Sequence, residues 1–476
     1  MAVLATAGLA MTSCKDEPDK YEIADGTPSV NYIRCLSSEV KNTNDAANTH
    51  YTTGELVEEA SPQNTLALIG DNLRSVYEIY FNDQKAILNT SFITDNVLIV
   101  DVPKTVPHVV TDKIYMVTQD KDTVTTSFHV VIPAPNISEM SCEYAQQGER
   151  VTFTGDYFVN YEATPLEVFF TDKNSNLVPA VINSISDDYT SVDVTIPEEA
   201  AEGPVVMTST YGTASSAFHY LDSRGTLFDF DGGTGLYFDG ANAGNMGWHG
   251  RIISDVDGLM GHYMQLGDGV ATMTENGDWD DSNFSFEYWC GDWTNAGTLN
   301  FTPRVSVPLY KVTDISKPEN MLLKFEMWIP SSNAWKAGAM QIIFAPTEYV
   351  ANADGSYQGT DADGNPAYGA NNIFFRCPGQ SDWDGHAYFK EKEPLPRALY
   401  RPWTKTGSYD TGGKWQTVTI PIASSFVYSF DGSGLTFNLK EKDFASLTMF
   451  IIGGGVKGEE CQPLIRIDNI RVIPNK

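Results

Sequence analysis

A chain of 476 residues exceeds what one hydrophobic core serves, so two or three domains are expected. Hydrophobic residues make up 42% of it and aromatics 12%, which argues against disorder. The 31 basic against 62 acidic residues leave a formal charge of −31, so nucleic acid, heparin-like glycans and bare anionic membrane are poor partners. Of these, 11 basic and 32 acidic residues precede Arg224, which places about −21 of the charge before it and −10 from it onward. A neutral ligand suits the C-terminal part best.

Residues 1–14 are small and apolar up to Ala10-Met11-Thr12-Ser13, just before Cys14, and no later stretch is apolar enough to span a bilayer. The segment resembles the bacterial lipobox, whose cysteine becomes an acylated first residue, although Met11 stands where Leu is usual and no basic segment precedes it. Lys15-Asp16-Glu17 resembles the acidic signal that sends Bacteroidetes lipoproteins to the outer face of the outer membrane. The resemblance implies lipidation at Cys14 and a stable surface anchor. Residues 15–26 are polar, with Pro18 and Gly26, and read as a tether. No two of the six cysteines form a Cys-x-x-Cys site, and with Cys14 acylated the remaining five fit buried thiols better than a disulfide framework.

An internal repeat follows, over residues 27–133 and 134–222. Pro28-Ser29-Val30 leads to Cys35 as Pro135-Asn136-Ile137 leads to Cys142. Thr65 to Leu73, with Gly70-Asp71-Asn72, matches Arg150 to Phe158, with Gly155-Asp156-Tyr157. A polar insertion around Ser37 to Ala60 makes the first copy longer. Short alternating strands and Pro-marked turns predict two small β-sandwiches. The strand, Gly-Asp-Asn-Leu, strand pattern resembles the immunoglobulin-like IPT/TIG domain, whose members serve mostly as spacers.

All nine Trp lie after Ser223, which sets residues 223–476 apart. Strands alternate there with loops rich in Gly, Asp and Asn, and helical periodicity is nearly absent apart from a turn at Glu441 to Ser446. The closing run Leu464 to Val472 resembles the last strand of jelly-roll carbohydrate-binding modules. The whole is therefore expected to be all-β: tandem Ig-like sandwiches, then a larger jelly-roll-like β-sandwich.

Within that last domain one pattern occurs twice, Phe286-Glu287-Tyr288-Trp289 and Phe325-Glu326-Met327-Trp328. Strand alternation puts Phe284, Phe286, Tyr288 and Cys290 on one face, and likewise Leu323, Phe325, Met327 and Ile329. Glu287 and Trp289, like Lys324, Glu326 and Trp328, fall on the opposite face and are expected to be exposed. Flat rings beside hydrogen-bonding side chains suit a pyranose, which has apolar faces and a hydroxyl rim. One sugar on one indole hides roughly 70 Å² of carbon, about 2 kcal/mol before costs. Association costs at least ~4 kcal/mol, so two or three platforms are needed. Trp289 and Trp328 are the first candidates, with Trp293, Trp335 and Trp383 in turn-rich segments. Glu287, Glu326, Lys324, Arg376 and Asp382 are candidate hydroxyl partners.

Glu287 and Glu326 are also the pair a glycoside hydrolase would need, if their strands are neighbours. No nucleophile elbow is complete, and no His-Glu-x-x-His occurs. Asp229-Phe230-Asp231-Gly232-Gly233 and Asp361-Ala362-Asp363-Gly364-Asn365 alternate carboxylates as calcium loops do, yet neither closes with a terminal Glu. No cofactor is expected beyond the structural calcium that the jelly-roll resemblance allows.

Taken together, the lipobox-like Cys14, the acidic signal, two IPT-like modules and the Trp-rich sandwich resemble the surface glycan-binding proteins of Bacteroidetes polysaccharide-utilisation systems. That resemblance implies a non-catalytic, outer-membrane, cell-surface protein. It would hold a neutral polysaccharide such as xyloglucan, mixed-linkage glucan or mannan for a SusC/SusD-like transporter complex and surface glycosidases. A glycosidase and a protein-binding adhesin are the alternatives.

Overall fold

The computed structural model describes residues 23–37, 53–233, 253–254, 259, 261–277, 283–288, 290, 307–347, 350, 357–360, 366–368, 395–427 and 439–475. Over these the chain is almost entirely antiparallel β-sheet, organised around three hydrophobic clusters.

The first two clusters belong to the repeated modules, each a pair of four-stranded sheets. In the first module the strand Ser29–Cys35 pairs with Thr65–Asp71, and in the second Asn136–Met140 pairs with Arg150–Asp156. The repeated Gly-Asp has one steric cause in both copies. A Cβ on Gly70 would lie 1.8 Å from the Ser29 carbonyl oxygen, and one on Gly155 the same distance from that of Asn136. The partner strand is irregular at that point in each module, between Val30 and Tyr32 and between Ile137 and Glu139. Two residues on, Asn72 and Tyr157 adopt left-handed backbone at φ 56° and 62°, turning the chain so that Leu73 and Phe158 enter the cores. The four described cysteines, Cys35, Cys142, Cys290 and Cys461, are buried thiols.

The third cluster lies between two larger sheets. One has the order Ile253–Ser254, Tyr263–Leu266, Ile465–Pro474, Met321–Trp328, Gln416–Pro421, with Thr226–Phe228 also on Ile465–Pro474. The other runs Ser285–Tyr288, Ser446–Ile452, Ala339–Ala345, Arg397–Tyr400, Phe426–Val427. Aromatic edges lock them face to face: Phe228 meets Phe286 at 5.6 Å and Tyr288 at 5.4 Å between centroids, both T-shaped. The turn expected near Glu441 is a short 3-10 helix, Glu441–Asp443, capped by the Asp443 carboxylate on the Lys440 N–H.

Candidate functional site: the outer faces of the C-terminal sandwich

The two copies of the Phe-Glu-x-Trp pattern occupy different sheets. Phe286 and Tyr288 point into the shared core from Ser285–Tyr288, as Phe325 and Met327 do from Met321–Trp328. Glu287 and Glu326 therefore project from opposite outer faces, with the core between them. The inner faces are those the alternation predicts. The expectation of one exposed surface carrying both glutamates is overturned, because each outer face is itself covered.

On the five-stranded sheet, Glu287 stands opposite Thr448, Thr448 opposite Ile343, and Ile343 opposite Arg397, in one row across four strands. In the neighbouring row, Gln341 accepts a 2.6 Å hydrogen bond from Arg397 Nη1. All four polar side chains are at most 2% exposed. Glu287 is thus a buried carboxylate in a polar row rather than a solvated strand residue.

On the six-stranded sheet, Lys324 and Glu326 meet the second Ig-like module. The Glu143 carboxylate takes Lys324 Nζ on Oε1 and Arg471 Nη2 on Oε2, the latter at 2.7 Å. Arg471 also grips Glu326 in bidentate fashion, at 2.8 and 3.0 Å. The Thr417 hydroxyl accepts from the Glu143 backbone N–H at 2.8 Å and donates to Glu326 at 3.0 Å. Thr417 N–H donates to the Ser141 carbonyl at 2.9 Å, and the Lys324 ammonium lies 5.3 Å from the Phe218 ring centroid. Burial pushes the Glu326 carboxyl upward against the pull of Arg471. For Arg471, burial lowers the pKa, but Glu326 and Glu143 more than offset it and hold the guanidinium charged. Glu326 and Lys324 are consequently not ligand contacts. Parity identifies the face they occupy but not what packs on it.

Arg466, Asp468 and Arg471 share this face because of a bulge: Glu326 stands opposite Asp468 and Lys324 opposite Arg471, so Phe325 alone faces two residues, Asn469 and Ile470, on the other strand. Asn469, at φ 49°, absorbs the extra residue. Strict alternation along Ile465–Pro474 misses Arg471, and only the αL-tolerant Asn in Ile467-Asp468-Asn469-Ile470 hints at the flip. Burial pushes the Asp468 carboxyl well above the usual carboxylate range, and the Glu326 charge adds to this.

Beyond the ion network the same face carries a run of rings. Trp328 is half-buried, with the Arg466 guanidinium 4.2 Å from its ring centroid. Arg466 also lies 5.0 Å from the Tyr263 centroid, and Tyr263 meets Trp415 edge-on at 5.9 Å. Trp415 in turn packs against the core of the second module. Arg466 and Tyr263 escape a search for Trp and carboxylates. Trp335, expected beside a cleft, is wholly buried in the sandwich core: its Nε1–H donates to the Ala337 carbonyl at 2.6 Å, and its backbone bridges to Tyr409. Trp289, Trp293, Trp383, Arg376, Asp382 and Cys14 lie outside the described residues, as does the Asp361 to Asn365 loop.

The Asp229 to Gly233 segment is a self-capped turn. Asp229 Oδ1 accepts from the N–H groups of Asp231, Gly232 and Gly233, and Asp231 bonds His262. Among the described residues, the cluster whose three donor atoms come within one ion's reach is Glu202, His219 and Asp222. There Arg224 already fills both Asp222 oxygens at 2.7 Å, and Ser223 bonds Glu202, so the donor set does not fit a cation.

Compared with known proteins, residues 220–474 match the family described as surface glycan-binding protein B xyloglucan binding domain. The crystal structure of the surface glycan-binding protein PbSGBP-B from Prevotella bryantii is 41% identical, with a TM-score of 0.66 over 95% of this chain and 100% of that one. An IPT/TIG domain-containing protein of Bacteroides ovatus is 22% identical over 226 residues, 45% of this chain and 42% of that protein. The chain thus spans less than half the length of that curated relative.

Proposed function

This chain belongs to the surface glycan-binding protein B family, and from that premise we propose that it captures a neutral β-glucan, xyloglucan foremost, at the cell surface without cleaving it. The observation that carries this reading is the 41% identity to a surface glycan-binding protein along 95% of the chain. The C-terminal sandwich is the binding domain, and Trp328, half-buried beside Arg466, is its described aromatic candidate. Trp289, Trp293 and Trp383 remain further candidates. Acylation of Cys14 would anchor the protein in the outer membrane, beside a SusC/SusD-like transporter and surface hydrolases that take over the polymer. Weak single sites suffice there, because many anchored copies engage one chain.

The placement of the two carboxylates a hydrolase would need supports the non-catalytic reading. A glycosidase flanks one bond with two carboxyl groups roughly 5 to 10 Å apart. Glu287 and Glu326 stand on opposite outer faces, and Glu326 is held by Arg471. No shared substrate reaches both.

Affinity electrophoresis of the full chain, in gels holding xyloglucan, mixed-linkage glucan, galactomannan or no glycan, tests the proposal. Retardation by xyloglucan is expected, weakened about 30-fold in affinity by Trp328→Ala, the equivalent of ~2 kcal/mol for one platform. No retardation in any gel would transfer the weight to a protein-binding adhesin. New reducing ends released from the polymer would make the protein a hydrolase.

A further inference from the structure

Glu143 belongs to the second Ig-like module, yet its side chain completes a charge set on the sandwich. With Lys324, Glu326 and Arg471 it makes two carboxylates and two cations, none more than 4% exposed. The set is neutral only while the two modules touch. Separated, the sandwich would keep Lys324, Glu326 and Arg471 with an unbalanced positive charge on a face opened to water, and the module would keep Glu143 alone. With the joint closed, loss of one member leaves an uncompensated buried charge, which is strongly destabilising, whereas the complete neutral, hydrogen-bonded set is tolerated. Domains joined by a mobile linker share modest, polar contacts. Here the joint also includes the Thr417 to Ser141 main-chain bond, Arg471 5.0 Å from the Tyr144 centroid, and Leu259 of the sandwich lodged in the core of the module.

We propose that the second Ig-like module is a fixed part of the glycan-binding unit rather than a spacer, and that Glu143 is the positioning residue that sets which way the sandwich faces. Among the described residues, the Glu143 carboxylate forms ion pairs with Lys324 and Arg471, both on the sandwich. Trp415 and Tyr263 extend the same joint toward Trp328, so the candidate platform is held in register with the module.

Pulsed electron–electron distance measurement on the full chain tests this, with spin labels at Lys173→Cys in the module and Glu441→Cys in the sandwich. Both sites are exposed, and the four described native thiols are buried. Cys14 and Cys377 are replaced by serine beforehand. One narrow distance is expected for the parent, several-fold broader in Glu143→Gln, which leaves the joint with a net positive charge. Adding Lys324→Gln restores neutrality and is expected to narrow the distribution again, a rescue that mere loss of packing would not give. A broad distribution in the parent, an unchanged one in Glu143→Gln, or no recovery in the double variant would each overturn the proposal. If Glu143→Gln does not fold, the parent and the charge-balanced double variant still decide. No glycan enters the measurement, so its outcome is independent of whether the sandwich binds one.

Discussion

Asp468 neighbours the charged network without sharing in it. Oδ1 accepts from the Asn469 N–H at 2.7 Å, while Oδ2 is buried without a hydrogen-bond partner, so the neutral carboxyl is favoured. An unfolded aspartate titrates near ~3.9. A folded-state value above that means the native chain binds the proton more tightly than the unfolded one. The stability this supplies is complete below the unfolded value and is lost as pH rises through the folded one. Asp468→Asn keeps an acceptor for Asn469 N–H but cannot ionise. Its melting temperature should therefore gain on that of the parent as pH rises from about 4 to about 8. A gap that stays constant across that range would mean that Asp468 does not titrate on folding.

Individual elements decided how much could be read in advance. Alternation placed Phe286, Tyr288, Phe325 and Met327 on inner faces because a core side must be apolar along its whole length. It could not tell that the two similar strands belong to opposite sheets, since pairing is fixed by long-range register rather than by either strand. Nor could it see that Lys324 is matched by Glu143, 181 residues away, and Glu326 by Arg471 on another strand. Trp335 was misplaced for a related reason. It follows Ser331–Asn333, a turn-rich segment that reads as a loop, yet a two-way backbone bridge to Tyr409 draws that segment over the core. Trp335→Ala should therefore act through the fold, costing about 3–5 kcal/mol and lowering the melting temperature by on the order of 10 °C. Glycan retardation of the fraction that remains folded should be unchanged. Selective loss of binding at full stability would return Trp335 to the ligand site.

On the scale of the whole molecule, the sharp change in Trp content at Ser223 marks a boundary in composition that the packing does not respect. The network at Glu143 and the lodging of Leu259 in the core of the second module tie residues 134–222 to the sandwich. A fragment starting at residue 223 would leave Lys324 and Arg471 facing water through a surface built for a carboxylate, and would uncover Trp415. Losing the burial of Leu259 and Trp415 against the module costs on the order of 3 kcal/mol, on the order of 10 °C for a domain of this size. By calorimetry, residues 134–476 should melt in one cooperative transition, and residues 223–476 about 10 °C lower. If both fragments melt together, the joint contributes no stability and the boundary in composition is also the physical one. The distinction governs how a negative binding result is read. A sandwich cut free at residue 223 that fails to bind glycan has lost Glu143 as well as any ligand contact, whereas the same failure in residues 134–476 speaks of the glycan alone.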